Sequence, residues 1–162
     1  MRLGRRFLAL AFVAAVPALA PGASGADPST PAVEQRRQSP AEASAASEYD
    51  RGVRARVVQN WPAAEDAFRR AIGFRADFAD AWNELGYALR NQGRYAESLD
   101  AYGEALRLQP EFPEALEYLG EAYVKMGRLD DARRVLDRLR ALDAARAREL
   151  AEEIARAPAA AR

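Results

Sequence analysis

Residues 79–112, ADAWNELGYALRNQGRYAESLDAYGEALRLQPEF, align with residues 113–146, PEALEYLGEAYVKMGRLDDARRVLDRLRALDAAR, at an offset of 34 without a gap. Leu85 falls on Leu119, Gly86 on Gly120, Ala88 on Ala122, Gly93-Arg94 on Gly127-Arg128 and Leu108 on Leu142. A further step of 34 upstream places residues 45–78 in the same frame, with Gly52 on Gly86, Trp61 on Tyr95, Ala71 on Ala105 and Phe78 on Phe112. A unit of this length is too short to bury a core alone. Such units must stack, each burying its apolar face against its neighbours.

Each unit reads as two helices. Ala81, Leu85, Ala88 and Leu89 recur at helical spacing, and Asn91-Gln92-Gly93 ends that helix at a glycine. The second helix carries Tyr95, Leu99, Tyr102 and Leu106 and stops at Pro110. A glycine inside a helix costs about 1 kcal/mol relative to alanine. The recurrence of Gly52, Gly86 and Gly120 on the inner face therefore implies a close helix approach that offsets this. After Arg146, Ala147, Leu150, Ala151 and Ile154 share one face before Pro158, as expected of an amphipathic helix (147–162 with its tail) capping the stack.

These motifs resemble the tetratricopeptide repeat family, whose pattern is W-x2-L-G-x2-Y, then A-x3-F, then P. Residues 79–112 supply Trp82, Leu85, Gly86, Tyr102, Ala105 and Pro110; residues 113–146 supply Leu116, Leu119, Gly120, Tyr123, Ala132 and Leu136. Residues 45–78 form a divergent unit, with Gly52, Ala64, Phe68 and Ala71 in place but Glu48 and Arg51 where Trp and Leu belong. The resemblance implies an all-α, right-handed α-solenoid of about three helix-turn-helix repeats whose first helices line a concave face. It also implies a protein-binding role.

Upstream of the repeats the composition changes. Met1–Arg6 is basic, Phe7–Val16 is an unbroken apolar run, and small residues follow Pro17. This is the order of a secretory signal peptide, and the run is too short to span a bilayer. Residues 1–25 read as that signal, with Ala26 the expected mature start and a periplasmic or secreted address. Residues 26–44, rich in Pro, Ser, Ala, Gln and charge, read as a disordered linker.

Composition removes several classes of chemistry. The 162 residues include no cysteine and no histidine, so thiolate or imidazole nucleophile chemistry and cysteine-bound zinc are excluded. No feature implies a metal or a cofactor. Of 24 basic residues, 23 are arginine, but 24 acidic residues are interleaved with them. Laced helix surfaces, rather than a nucleic-acid stripe, are expected.

Counting along the first helices, the inward set is Tyr49 and Val53 with Arg56, then Asn83, Tyr87 and Arg90, then Glu114, Glu117 and Glu121. The three glutamates share one helix face, and Arg90 can neutralise only one of them. A groove that is aromatic and basic at its start and acidic at its end suits a protein or peptide partner with a basic segment. Taken singly, each of these residues could equally be a solvated helix face. Some members of the family clamp a peptide's terminal carboxylate with Lys, Asn and Arg. The matching positions here are Tyr49, Val53, Glu84, Glu114 and Tyr118, so that clamp is absent. The expected function is a non-catalytic interaction scaffold of the bacterial cell envelope, binding neither nucleic acid nor, in mature form, membrane. The alternatives are a self-associating envelope subunit, hence a homo-oligomer, and a carboxylate-dependent enzyme. The latter requires opposing carboxylates that one exposed helix face does not supply.

Overall fold

The computed structural model describes residues 39–158; the expected signal, residues 1–25, and the linker up to residue 38 lie outside them. Among the described residues there are seven helices and no strand: α1 Pro40–Val57, α2 Trp61–Phe74, α3 Ala79–Asn91, α4 Tyr95–Leu108, α5 Pro113–Lys125, α6 Leu129–Arg140 and α7 Ala144–Arg156. They form three antiparallel pairs followed by one closing helix, an α-solenoid. None is long and apolar enough to cross a membrane.

The helix at the start begins earlier than its sequence suggests. The linker was expected to run to residue 44, yet α1 starts at Pro40. Pro40 occupies the first helical turn, where its missing N–H is no loss. Ser39 closes a capping box: its Oγ accepts from the Glu42 N–H at 3.2 Å, and a Glu42 carboxylate oxygen accepts from the Ser39 N–H at 2.6 Å. A proline read as a helix breaker is here a helix starter. The far end shifts too. Asp143 caps α7 by accepting from the N–H groups of Ala145 and Arg146, so the closing helix begins at Ala144 rather than at 147.

Repeat positions, counted 1 to 34 from Ala45, Ala79 and Pro113, explain the packing. Position 8 is Gly52, Gly86 or Gly120. A Cβ on Gly52 would lie 2.5 Å from the Phe68 ring, and one on Gly86 would lie 2.6 Å from the Tyr102 ring. The aromatic at position 24 therefore lies flat on the bare backbone of its partner helix. Position 15, which turns the chain between paired helices, is left-handed in all three units: Gln59 at φ 55°, Gly93 at 75° and Gly127 at 70°. The shared turn and shared glycine contact give residues 45–78 the same helix-pair geometry as the unit that follows, despite Glu48 and Arg51.

The core divides into two clusters. Phe68, Leu85 and Leu89 centre the first, and Tyr102, Leu116, Leu136, Leu139 and Leu150 the second. Trp82 packs against both, and its indole N–H donates to the Ala76 carbonyl at 2.9 Å. Outside, Arg–carboxylate pairs spaced three or four apart cover the helices, among them Arg69–Glu65, Arg107–Glu104, Arg133–Asp130 and Arg140–Asp137. Exposed pairs of this kind contribute about 0–1 kcal/mol each.

Candidate partner-binding groove

The first helices α1, α3 and α5 communicate through two arginines at position 12. The Arg56 Nε lies 3.2 Å from the Glu84 carboxylate, and its guanidinium carbon stands 5.5 Å from the Tyr87 ring centroid. Arg90 repeats the arrangement one unit on, pairing with Glu121 and standing 5.1 Å from the Tyr118 centroid. Each arginine thus meets one acid and one tyrosine at positions 6 and 9 of the next first helix, with acid and tyrosine exchanged between the two steps. Tyr87 joins the steps: it stacks edge-on to Trp61 and lies 5.0 Å from Tyr118, and Arg90 also stands 5.2 Å over it. Cation–π contacts of this kind contribute about 0.5–1 kcal/mol, and more when desolvated.

Position 5, taken from the sequence as a groove position, serves mainly to pack one unit against the start of the next, and at Tyr49 the hydroxyl also feels the carboxylates of Glu84 and Asp80. Tyr49 stacks on Phe78 at 4.9 Å and on Phe68 at 5.6 Å. Glu117, two full periods later, pairs with Arg146. Both contacts reach position 34 of the same unit, beside the start of the next helix. Asn83 at this position is 1% exposed, and Glu117, 5% exposed, has its charge met by Arg146. Burial pushes the Glu117 carboxyl up, while Arg146 works in the opposite direction. The Asn83 Oδ1 has no hydrogen-bond partner.

The acidic face expected at Glu114, Glu117 and Glu121 is therefore not a free triad. Arg90 neutralises Glu121 and Arg146, on the closing helix, neutralises Glu117. Val53 and Tyr49 are part-buried against the Phe68 cluster. What the structure brings together instead is Glu114 with Asp80 and Glu84. Glu84 is 6% exposed; burial pushes its carboxyl up to about 7, Arg56 pulls against that rise, and the charges of Glu114 and Asp80 add to it. Burial, then the nearby charges of Glu84 and Asp80, push the Tyr49 hydroxyl up to about 12. Burial also raises Tyr118, and the Glu114 carboxylate facing its hydroxyl adds to the effect. Sequence reading missed Glu84 and Asp80 as part of this group. Among the described residues no group of three or more carboxylates is placed to hold a metal ion.

Comparison with known proteins agrees with this architecture. Residues 86–127 match the family model described as TPR repeat, and residues 114–144 match that described as tetratricopeptide repeat. The solved Arabidopsis OM64 TPR domain is similar, with 14% identity, a TM-score of 0.68, and 71% of this chain and 97% of that one covered. The TPR2B domain of yeast Sti1, solved in complex with an Hsp70 peptide, is similar at 22% identity and a TM-score of 0.67, with 71% and 96% covered. MamA shares 28% identity at a TM-score of 0.55, with 69% of this chain and 61% of MamA covered. No curated protein sequence matches the chain. With repeats, turn geometry and family models in agreement, residues 86–144 are tetratricopeptide repeats.

Proposed function

We propose that this chain is a non-catalytic scaffold of the cell envelope that takes a partner polypeptide along the concave face of α1, α3 and α5, and that the partner contributes a basic segment. The observation that carries the reading is the inner face itself: tyrosines at Tyr49, Tyr87 and Tyr118 alternate with the carboxylates of Asp80, Glu84 and Glu114. Solved neighbours with the same fold are held with Hsp70 and Hsp90 peptides. Where such peptides end in a carboxylate, a cationic clamp serves; here the corresponding positions are acidic, aromatic or, at Val53, aliphatic, with no cation among them, which favours the opposite charge in the partner. The basic, apolar and small-residue order of residues 1–25 supports the envelope address.

Site-specific photo-crosslinking in cells tests the reading. A photoreactive residue at Val53 or Glu114 should give covalent adducts with a partner protein, while one at Arg134, exposed on α6, should not. Adducts formed from Arg134 and not from the concave positions would refute it. Removal of residues 1–25 should leave the chain in the cytoplasm; arrival in the envelope without them would refute the export part.

A further inference from the structure

Each end of the stack leaves one helix face uncovered. Within the repeats, positions 3 and 10 of a first helix are closed off: Ala81 and Ala88 of α3, and Ala115 and Ala122 of α5, are fully buried. In α1 the same positions hold Ser47 and Arg54, and both are exposed. The preceding unit is what buries these positions, and α1 has none among the described residues. Asp50 and Val57, also exposed, complete a stripe on α1 at Ser47, Asp50, Arg54 and Val57, the spacing of one helix face. At the other end α7 buries Ala147, Leu150 and Ile154. It exposes Ala145, Arg148, Glu152 and Ala155 at the same spacing.

Charge singles out the same two faces. Among the described arginines, Arg54 and Arg148 alone engage no carboxylate, carbonyl or aromatic ring, and they stand at opposite ends of the stack. Asp50 has no ion-pair partner among the described residues either, and Glu152 meets Arg156 at 3.4 Å. The two stripes are complementary. With α1 of a second copy laid along α7 in the same direction, Asp50 comes opposite Arg148 and Arg54 opposite Glu152. Ser47 then faces Ala145 and Val57 faces Ala155, small pairs that let the helices approach. A slip of one turn either way opposes like charges: Asp50 to Glu152 and Arg54 to Arg156, or Arg54 to Arg148. The reverse direction sets Asp50 against Arg156, already held by Glu152, and leaves Arg148 bare.

We infer that the exposed face of α7 is a docking surface for the exposed face of α1 of a second copy, so that chains associate head to tail through Asp50–Arg148 and Arg54–Glu152. The two patches differ, so a pair of copies leaves one patch free at each end and further copies add to the row. The contact is small and charged, which makes it weak and sensitive to salt. None of its residues belongs to the inner set of the concave face, so it stands apart from the groove.

Sedimentation velocity of the purified protein at low salt, over a range of concentrations, tests this. The average mass should rise past that of a dimer with concentration and fall back toward the monomer when salt is added. Arg54→Glu and Glu152→Arg should each weaken association about tenfold or more, because each sets like charges against one another across the contact. Both positions are exposed, so the melting temperature should stay at the wild-type value. Mixed in equal amounts, the two variants should associate again, since each end of one then meets opposite charge on the other. Glu104→Gln, on α4 and paired there with Arg107, should associate as wild type. A monomer at every concentration, a dimer that gains no further copies, association retained by both single variants, or no recovery on mixing would overturn the inference.

Discussion

The first two repeats and the third solve the same packing problem differently. In the first two, an aromatic ring at position 24 covers the position-8 glycine of its own pair. In the third, position 24 is Leu136, and a Cβ on Gly120 would instead collide with Leu150 of α7. The smaller side chain leaves room that the closing helix enters, so α7 packs on α5 as well as α6. Position 34 changes in step: Phe78 stacks on Tyr49, whereas Arg146 pairs with Glu117. A repeat at the end of a solenoid has no successor to bury its face. The closing helix replaces that successor and, in doing so, neutralises a carboxylate that the periodicity alone would leave in the groove.

The largest contrast should come from position 24. Tyr102→Ala removes a fully buried ring and should destabilise the domain by about 3–5 kcal/mol, against about 2–3 kcal/mol for Leu136→Ala, because Leu150 shares the space in the third repeat. Urea denaturation of both variants checks the order. Next comes position 8. Gly86→Ala forces a methyl into an aromatic ring and should cost about 2 kcal/mol net of improved helix propensity. Gly120→Ala meets the movable end of a leucine on a terminal helix and should cost under about 1 kcal/mol. Equal losses would mean that α7 is as rigidly held as α2 and α4. The smallest effect belongs to the turn: Gln59→Gly relieves a left-handed non-glycine residue and should raise stability by up to about 1 kcal/mol, bringing the first repeat to the pattern of the other two.

The repeat, its pairing and its turns were legible because they depend on residue types that recur: Gly at position 8, an aromatic at position 24, Gly at position 15. The start of α1 was misread because Pro40 is both a breaker and a good first helical residue, and the Ser39–Glu42 pair that decides between them lies just outside the repeat. The groove was legible only in part. Tyr87 and Arg90 stand against each other, and Arg90 pairs with one glutamate, Glu121, as its spacing implied. Asn83 and Glu117 were misplaced because helical spacing gives a direction and not what covers it; position 5 points at the junction with the next unit. Matching it against position 34, Tyr49 to Phe78 and Glu117 to Arg146, is the signal that would have revealed this.

The electrostatics of Glu84 connect the groove to stability. Its folded-state pKa, about 7, lies above the ordinary 4.5, so the folded chain holds this proton more tightly than the unfolded one. That contribution is complete below about pH 4.5 and is lost as pH rises through about 7. Glu84→Gln imitates the protonated form. It should match wild type near pH 5 and exceed it by about 1–3 kcal/mol at pH 8. Thermal unfolding at the two pH values measures the difference.

The inner face keeps a buried carboxyl, Glu84, between the Arg56 guanidinium and the acidic charges of Glu114 and Asp80. Carbon-detected NMR titration of the Glu84 carboxyl, its resonance identified by its absence in Glu84→Gln, addresses this directly. A midpoint near pH 7 is expected in the free protein, with a shift to lower pH when a peptide of alternating serine and lysine is added, because a bound cation favours the charged form. A midpoint near 4.5 that the peptide leaves unmoved would contradict it.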